Sequence, residues 1–177
     1  MRTRTTLTVL ASVVLVFGST GPATAQGIDF TGTWQLDREA SEFPEFGGRR
    51  GRGGRGRGGP GGVRGGAATL VITQTADLLT IEQQSERGTR TLSYHLDGSE
   101  SSNEGRRGDL TSTSAWDGSA LVTEGTQQLS TPRGDFSIDI VERRTLSDDG
   151  QTITIESART MPFGNMTMTL VYTKSTT

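Results

Sequence analysis

Met166-Thr167-Met168-Thr169-Leu170-Val171-Tyr172-Thr173 sets Met166, Met168, Leu170 and Tyr172 against Thr167, Thr169, Val171 and Thr173. Period two is the side-chain repeat of a strand with one face buried. The same pattern recurs upstream. Phe30, Gly32, Trp34 and Leu36 share a face, as do Leu92, Tyr94 and Leu96, and again Phe136, Ile138 and Ile140. Turn signals separate these runs at Ala76-Asp77, Asp97-Gly98, Asp117-Gly118 and Asp148-Asp149-Gly150. Asp-Gly supplies the positive φ of tight hairpins. The spacing predicts strands at 30–37, 69–75, 78–84, 89–97, 109–116, 119–129, 134–146, 151–160 and 166–174. No segment after residue 25 carries a helical repeat, which argues against crossover connections and a parallel sheet. The fold class is therefore all-β, a single antiparallel up-and-down meander of eight or nine strands. Such a meander hides its apolar face best by closing into a barrel, with a two-sheet sandwich as competitor. A membrane-spanning barrel needs a lipid-facing apolar band and aromatic girdles. Threonine, serine and acid on one strand face, with two Trp and two Tyr in the whole chain, argue against it.

Gly32-Thr33-Trp34, on the first strand of the meander, resembles the Gly-x-Trp signature of the lipocalins and the wider calycin group. Together with Phe30-Thr31-Gly32-Thr33-Trp34-Gln35-Leu36-Asp37 at the start and Val171-Tyr172-Thr173-Lys174 at the end, the frame looks like small exported bacterial lipocalin-like proteins of unassigned function. The resemblance implies a lipocalin-like barrel in which the glycine permits a close strand crossing. It also implies a tryptophan packed at the closed end, often beneath a basic side chain from near the chain terminus. The Thr-Asp-Tyr element of lipocalin loops is absent.

Arg2 and Arg4, the apolar run from Leu7 to Phe17, and Ala23-Thr24-Ala25 form the three-part pattern of a secretory signal. The expected organisation is a signal peptide at 1–25 and one barrel domain at 26–177, placed in the periplasm or outside the cell. No later run approaches the roughly 20 apolar residues of a membrane helix. Without cysteine there is no disulfide framework, so the fold must rest on a packed core. Beyond Arg2 and Arg4 the chain holds 16 basic and 20 acidic residues, a net charge of about −4.

That charge is unevenly placed. Residues 47–66 contain 12 glycines and the arginines Arg49, Arg50, Arg52, Arg55, Arg57 and Arg64, with no acid. A stretch with so little apolar surface is expected to be a flexible insertion, its base pinned by Phe43 and Phe46. Those six arginines are candidates for contact with an anionic envelope polymer or lipid head group. Nucleic acid is disfavoured, because an exported chain without interleaved aromatics offers no stacking.

Catalytic chemistry finds few carriers. His95, the sole histidine, falls on the polar face beside Ser93 and Asp97, without partners for a triad or a zinc site. Asp148 and Asp149 occupy a turn that favours Asp for its geometry. Asp135, Asp139 and Glu142 do not have calcium-loop spacing. Neither a cofactor nor a metal site is expected.

The inward register is more informative. From Phe136, Ile138 and Ile140 it continues to Glu142 and Arg144, and from Ile153 and Ile155 to Ser157 and Arg159. A tight turn at 148–150 would set Arg144 near Ile155, Glu142 near Ser157 and Arg159 near Ile140, close to Tyr172. A buried charge must be paired or bind an ion. Either Glu142 neutralises an arginine or a bulge turns these side chains outward, or Arg144 or Arg159 receives the carboxylate of an apolar ligand. In the last case Trp34, Tyr94, Trp116 and Phe136 are the walls. The functional expectation is a non-enzymatic exported module binding a small apolar or acidic ligand. The alternative is a structural or interaction protein of the cell envelope with a filled barrel and a basic loop.

Overall fold

The computed structural model describes residues 28–44, 66–86, 88–105, 108–131 and 134–175. Residues 1–25, where a signal is expected, and Arg49, Arg50, Arg52, Arg55, Arg57 and Arg64 lie outside them, as does Phe46. Ten strands follow in chain order: β1 Gly32–Glu42, β2 Thr69–Gln74, β3 Leu78–Ser85, β4 Gly88–His95 and β5 Glu100–Asn103. After them come β6 Leu110–Asp117, β7 Ala120–Thr131, β8 Gly134–Leu146, β9 Thr152–Met161 and β10 Gly164–Lys174. They form one antiparallel sheet in the order β4-β3-β2-β1-β10-β9-β8-β7-β6-β5, a nearly closed barrel.

The strand count exceeds the expected eight or nine by β5, whose Glu-Ser-Ser-Asn carries no apolar residue and so no hydrophobic period. The turns stand where Asp-Gly pairs predict them, Gly118 and Gly150 in hairpins at φ of 60° and 67° and Gly98 at 83° between β4 and β5, which share no ladder. β1 runs on to Glu42 rather than ending at 37, pairing β10 with a register shift between Asp37 and Glu42. Phe43, just beyond it, packs against the core.

Where the ladder stops, between β4 and β5, side chains take the place of backbone pairing. The Ser93 amide donates to Asn103 Oδ1 at 2.7 Å, and Asn103 Nδ2 donates to the Ser93 carbonyl at 2.9 Å. The His95 amide donates to Ser101 Oγ at 2.8 Å. Ser101 and Asn103 are buried, so the alternation inside β5 is polar because its inward side chains serve as surrogate backbone. Asn103→Ala removes partners from two backbone groups at once and is expected to lower stability by about 1–3 kcal/mol. Amide hydrogen exchange at Ser93, much faster in the variant, is the check.

Phe30, Trp34, Leu79, Leu121 and Ile153 fill one end of the barrel and are almost wholly buried. Trp34 Nε1 donates to the Phe30 carbonyl at 2.9 Å, and the Phe30 ring stacks on Trp116 with centroids 6.0 Å apart. Lys174 Nζ lies 5.2 Å from the Trp34 ring centre. Gly32 sits at φ +149°, and a Cβ there would meet Lys174 Cε at 3.0 Å. A basic side chain from the last strand thus lies over Trp34 at the closed end, in the space that the missing Cβ of Gly32 leaves.

Candidate functional site

The Asp148-Asp149-Gly150 turn fixes the β8–β9 register, since Asp149 Oδ1 accepts from the Gln151 amide and from Ser147 Oγ. The Ser147 hydroxyl, then the Gln151 amide, hold the exposed Asp149 carboxyl below its usual range. Arg144 then lies opposite Ile155, Glu142 opposite Ser157, and Ile140 opposite Arg159. Alternation turns Ile138, Ile140, Glu142 and Arg144 toward the interior.

Arg144 is 3% exposed and has partners on three sides. Its Nη2 forms a close ion pair with Glu142 Oε2, and Nη1 donates to Thr123 Oγ1 at 2.8 Å. Thr123 Oγ1 lies 2.8 Å from Ser114 Oγ. The guanidinium carbon stands 5.0 Å from the centre of the Tyr94 ring. Glu142 Oε1 faces Arg159 Nη2 at 3.8 Å, a longer and weaker pairing.

Beside this cluster lies a cavity of about 100 Å³. Arg90, Arg159, Glu142, Gln83, Ser112 and Gln127 give it polar walls, and Leu92, Leu110 and Ile140 give it an apolar side. These residues belong to the half of the barrel away from Trp34. Among the described residues, buried Arg144 and half-buried Arg90 and Arg159 therefore share the inward face with one carboxylate, half-buried Glu142. Each arginine keeps a buried nitrogen without a hydrogen-bond partner, Arg90 Nε and Nη2, Arg144 Nε and Arg159 Nε, and Ser112 Oγ on the cavity wall is unpartnered too.

The structure brings Tyr94, Glu142, Arg144 and Arg159 together as the register reading expects. It places Trp34 and Trp116 elsewhere, and sets Phe136 and Tyr172 next to the cluster but not on the cavity wall. Trp34 and Trp116 are in the closed-end core, because β1 starts and β6 ends there. Phe136 joins a separate apolar cluster with Leu110, Ile138 and Ile140. Tyr172 is buried in the main core and donates its hydroxyl to the Ala67 carbonyl at 3.1 Å. Arg90, Gln83 and Gln127 were not anticipated. Arg90 is in phase with Leu92, Tyr94 and Leu96, so extending the inward register backwards along β4 would have found it.

Both tyrosines are buried, and burial pushes each phenol above its ordinary 10.0. For Tyr94, Arg144 opposes that shift and Glu142 reinforces it. For Tyr172, Glu142 adds to it. The folded chain therefore keeps both phenolic protons where the unfolded chain has lost them. The stability they contribute is complete below about pH 10 and falls as pH rises above it. These are the chain's two tyrosines. Phenolate absorbance is expected to stay absent just above pH 10 and to appear together with loss of the far-ultraviolet β signal. A smooth titration near 10 in the folded protein would contradict the burial of both rings.

Neither a protein-family model nor a curated protein sequence matches this chain. Among solved structures, the chain resembles the REP1-NXSQ fatty acid transporter. The TM-score is 0.51 at 14% identity, over 84% of this chain and 97% of that one. The fold is a lipocalin-like barrel. Zebrafish ileal bile acid-binding protein complexed with cholic acid is also similar, at TM-score 0.44 and 18% identity, covering 60% of this chain and 72% of that one.

Proposed function

We propose that this chain is a non-catalytic, exported binding barrel that holds a small molecule bearing an acidic group. The observation that carries the reading is the interior cavity, walled by arginines in excess of carboxylate. A half-buried cationic surplus, here Arg90 and Arg159, is unfavourable until an anion meets it. The cavity of about 100 Å³ is well below the roughly 300–1,000 Å³ of a typical small-molecule pocket. It suits a compact ligand, or the head of a longer one whose remainder lies along the apolar side. The structural neighbour described as a fatty acid transporter supports the binding class, and the segment at 1–25 supports export.

Native mass spectrometry of protein purified from an exporting host, compared with its denatured mass, is the test. A discrete excess mass lost on denaturation identifies the ligand. A native mass equal to the bare chain from Gln26, unchanged after incubation with acidic and neutral small molecules, overturns the binding reading.

A further inference from the structure

We infer that Arg90 and Arg159 form an oxyanion subsite that takes a carboxylate, phosphate or sulfate group of single head-group size. The inference rests on the cavity being a ligand site and specifies the chemistry of the group it takes.

The three interior arginines divide into two kinds. Arg144 has both terminal nitrogens engaged, Nη2 by Glu142 and Nη1 by Thr123, with the Tyr94 ring against its guanidinium and only Nε left without a partner, and acts as an internal strut. Arg90 enters no ion pair among the described residues, and its Nε and Nη2 are buried without a hydrogen-bond partner. Those two nitrogens form one edge of the guanidinium fork, an edge suited to gripping two oxygens of one anion. The Arg90 Nη2 lies beside Gly105, where a Cβ would stand 3.5 Å away. Arg159 reaches Glu142 only through Nη2 at 3.8 Å, and its Nε is likewise buried and unpartnered. Ser112 Oγ, on the same cavity, adds a hydroxyl with no partner. A water or a neutral ligand could satisfy these donors but would leave the charge uncompensated. An oxyanion does both.

One chemistry has two sources, a free oxyanion or the head of an amphiphile. The cavity's apolar side, Leu110 and Ile140, continues through Ile138 to Phe136 and Met161. Phe136 meets Phe163 edge-on at 5.6 Å, and Phe163 is 72% exposed. From Ile140 to Phe136 the strand advances about 13 Å, giving an alkyl chain an apolar route from cavity to surface.

Calorimetric titration of the purified protein with sulfate, phosphate, decanoate, decyl phosphate and decanol tests this. The anions are expected to bind, and decanol to bind at least about tenfold more weakly than decanoate. Binding of sulfate or phosphate as tight as that of decyl phosphate assigns the site to a free oxyanion. Binding of the decyl anions alone assigns it to a head group. Equal affinity for decanol and decanoate, or no binding by any anion, overturns the subsite.

Arg90→Met and Arg159→Met should each weaken anion binding at least about tenfold. Arg143→Met should not, because Arg143 pairs with Asp117 outside the barrel. A second readout does not depend on affinity. Arg90→Met should raise the melting temperature without anion, since it removes unpartnered buried donors, and should abolish the anion-dependent rise seen in the wild type. A lower melting temperature without anion would make Arg90 a structural cation and sink the inference. A neutral compound recovered in native mass spectra, with no anion bound, would remove the subsite and leave the binding barrel standing.

Discussion

Trp34→Ala is expected to destabilise the protein by about 3–5 kcal/mol, lowering the melting temperature by on the order of 10 °C. The Trp34 side chain has no exposed surface. Its loss would leave a void at the closed end, strip the Phe30 carbonyl of its indole donor, and remove the surface over which Lys174 lies. Trp34→Phe keeps most of the volume but not the donor, and should fall between. Urea unfolding of the three proteins is the measurement. A loss below about 1 kcal/mol for the alanine variant would mean that the indole is not packed, and the closed-barrel description would fail with it.

Glu142→Gln comes next in size, at about 3 kcal/mol of lost stability at neutral pH. The substitution keeps the shape but leaves Arg144 charged, buried and without its carboxylate. It also raises the interior charge surplus from two to three, because Arg159 loses its only nearby anion among the described residues. Adding Arg144→Met to Glu142→Gln should recover most of the loss, since replacing a buried pair by apolar side chains is often neutral. If the single variant were as stable as the wild type, Glu142 and Arg144 would be solvated rather than coupled. The cavity would then not be a charged interior.

Much of this is legible in the sequence. The β8–β9 register followed from one tight turn and parity alone, and three cross-strand neighbours came out as expected. Parity names the face a residue occupies but not the end of the barrel at which it sits. Parity alone therefore sets Trp34 and Trp116 among the cavity walls, although they close the opposite end. Arg90 and β5 escaped for a shared reason. Gly88-Thr89-Arg90-Thr91 and Glu100-Ser101-Ser102-Asn103 are polar on both faces, so the hydrophobic period fades where the interior turns polar. The site lies where the alternation is weakest. Lys174 over Trp34 is another matter, because that contact depends on a pairing between strands far apart in sequence.

That pairing has a consequence for how the chain reaches its fold. Every ladder in the sheet joins strands adjacent in sequence except the one between β1 and β10. Local hairpins close short loops and can form early and independently. The β1–β10 ladder joins Trp34 to Lys174, and closing a loop of that length costs about 4 kcal/mol in chain entropy. The meander should therefore assemble as an open, curling sheet whose last committed step is the meeting of its first and last strands. In that order of events Trp34 acts as a latch as well as core. Variants at the β1–β10 junction should slow folding, whereas changes in the Asp-Gly hairpins should act mainly on the early intermediates.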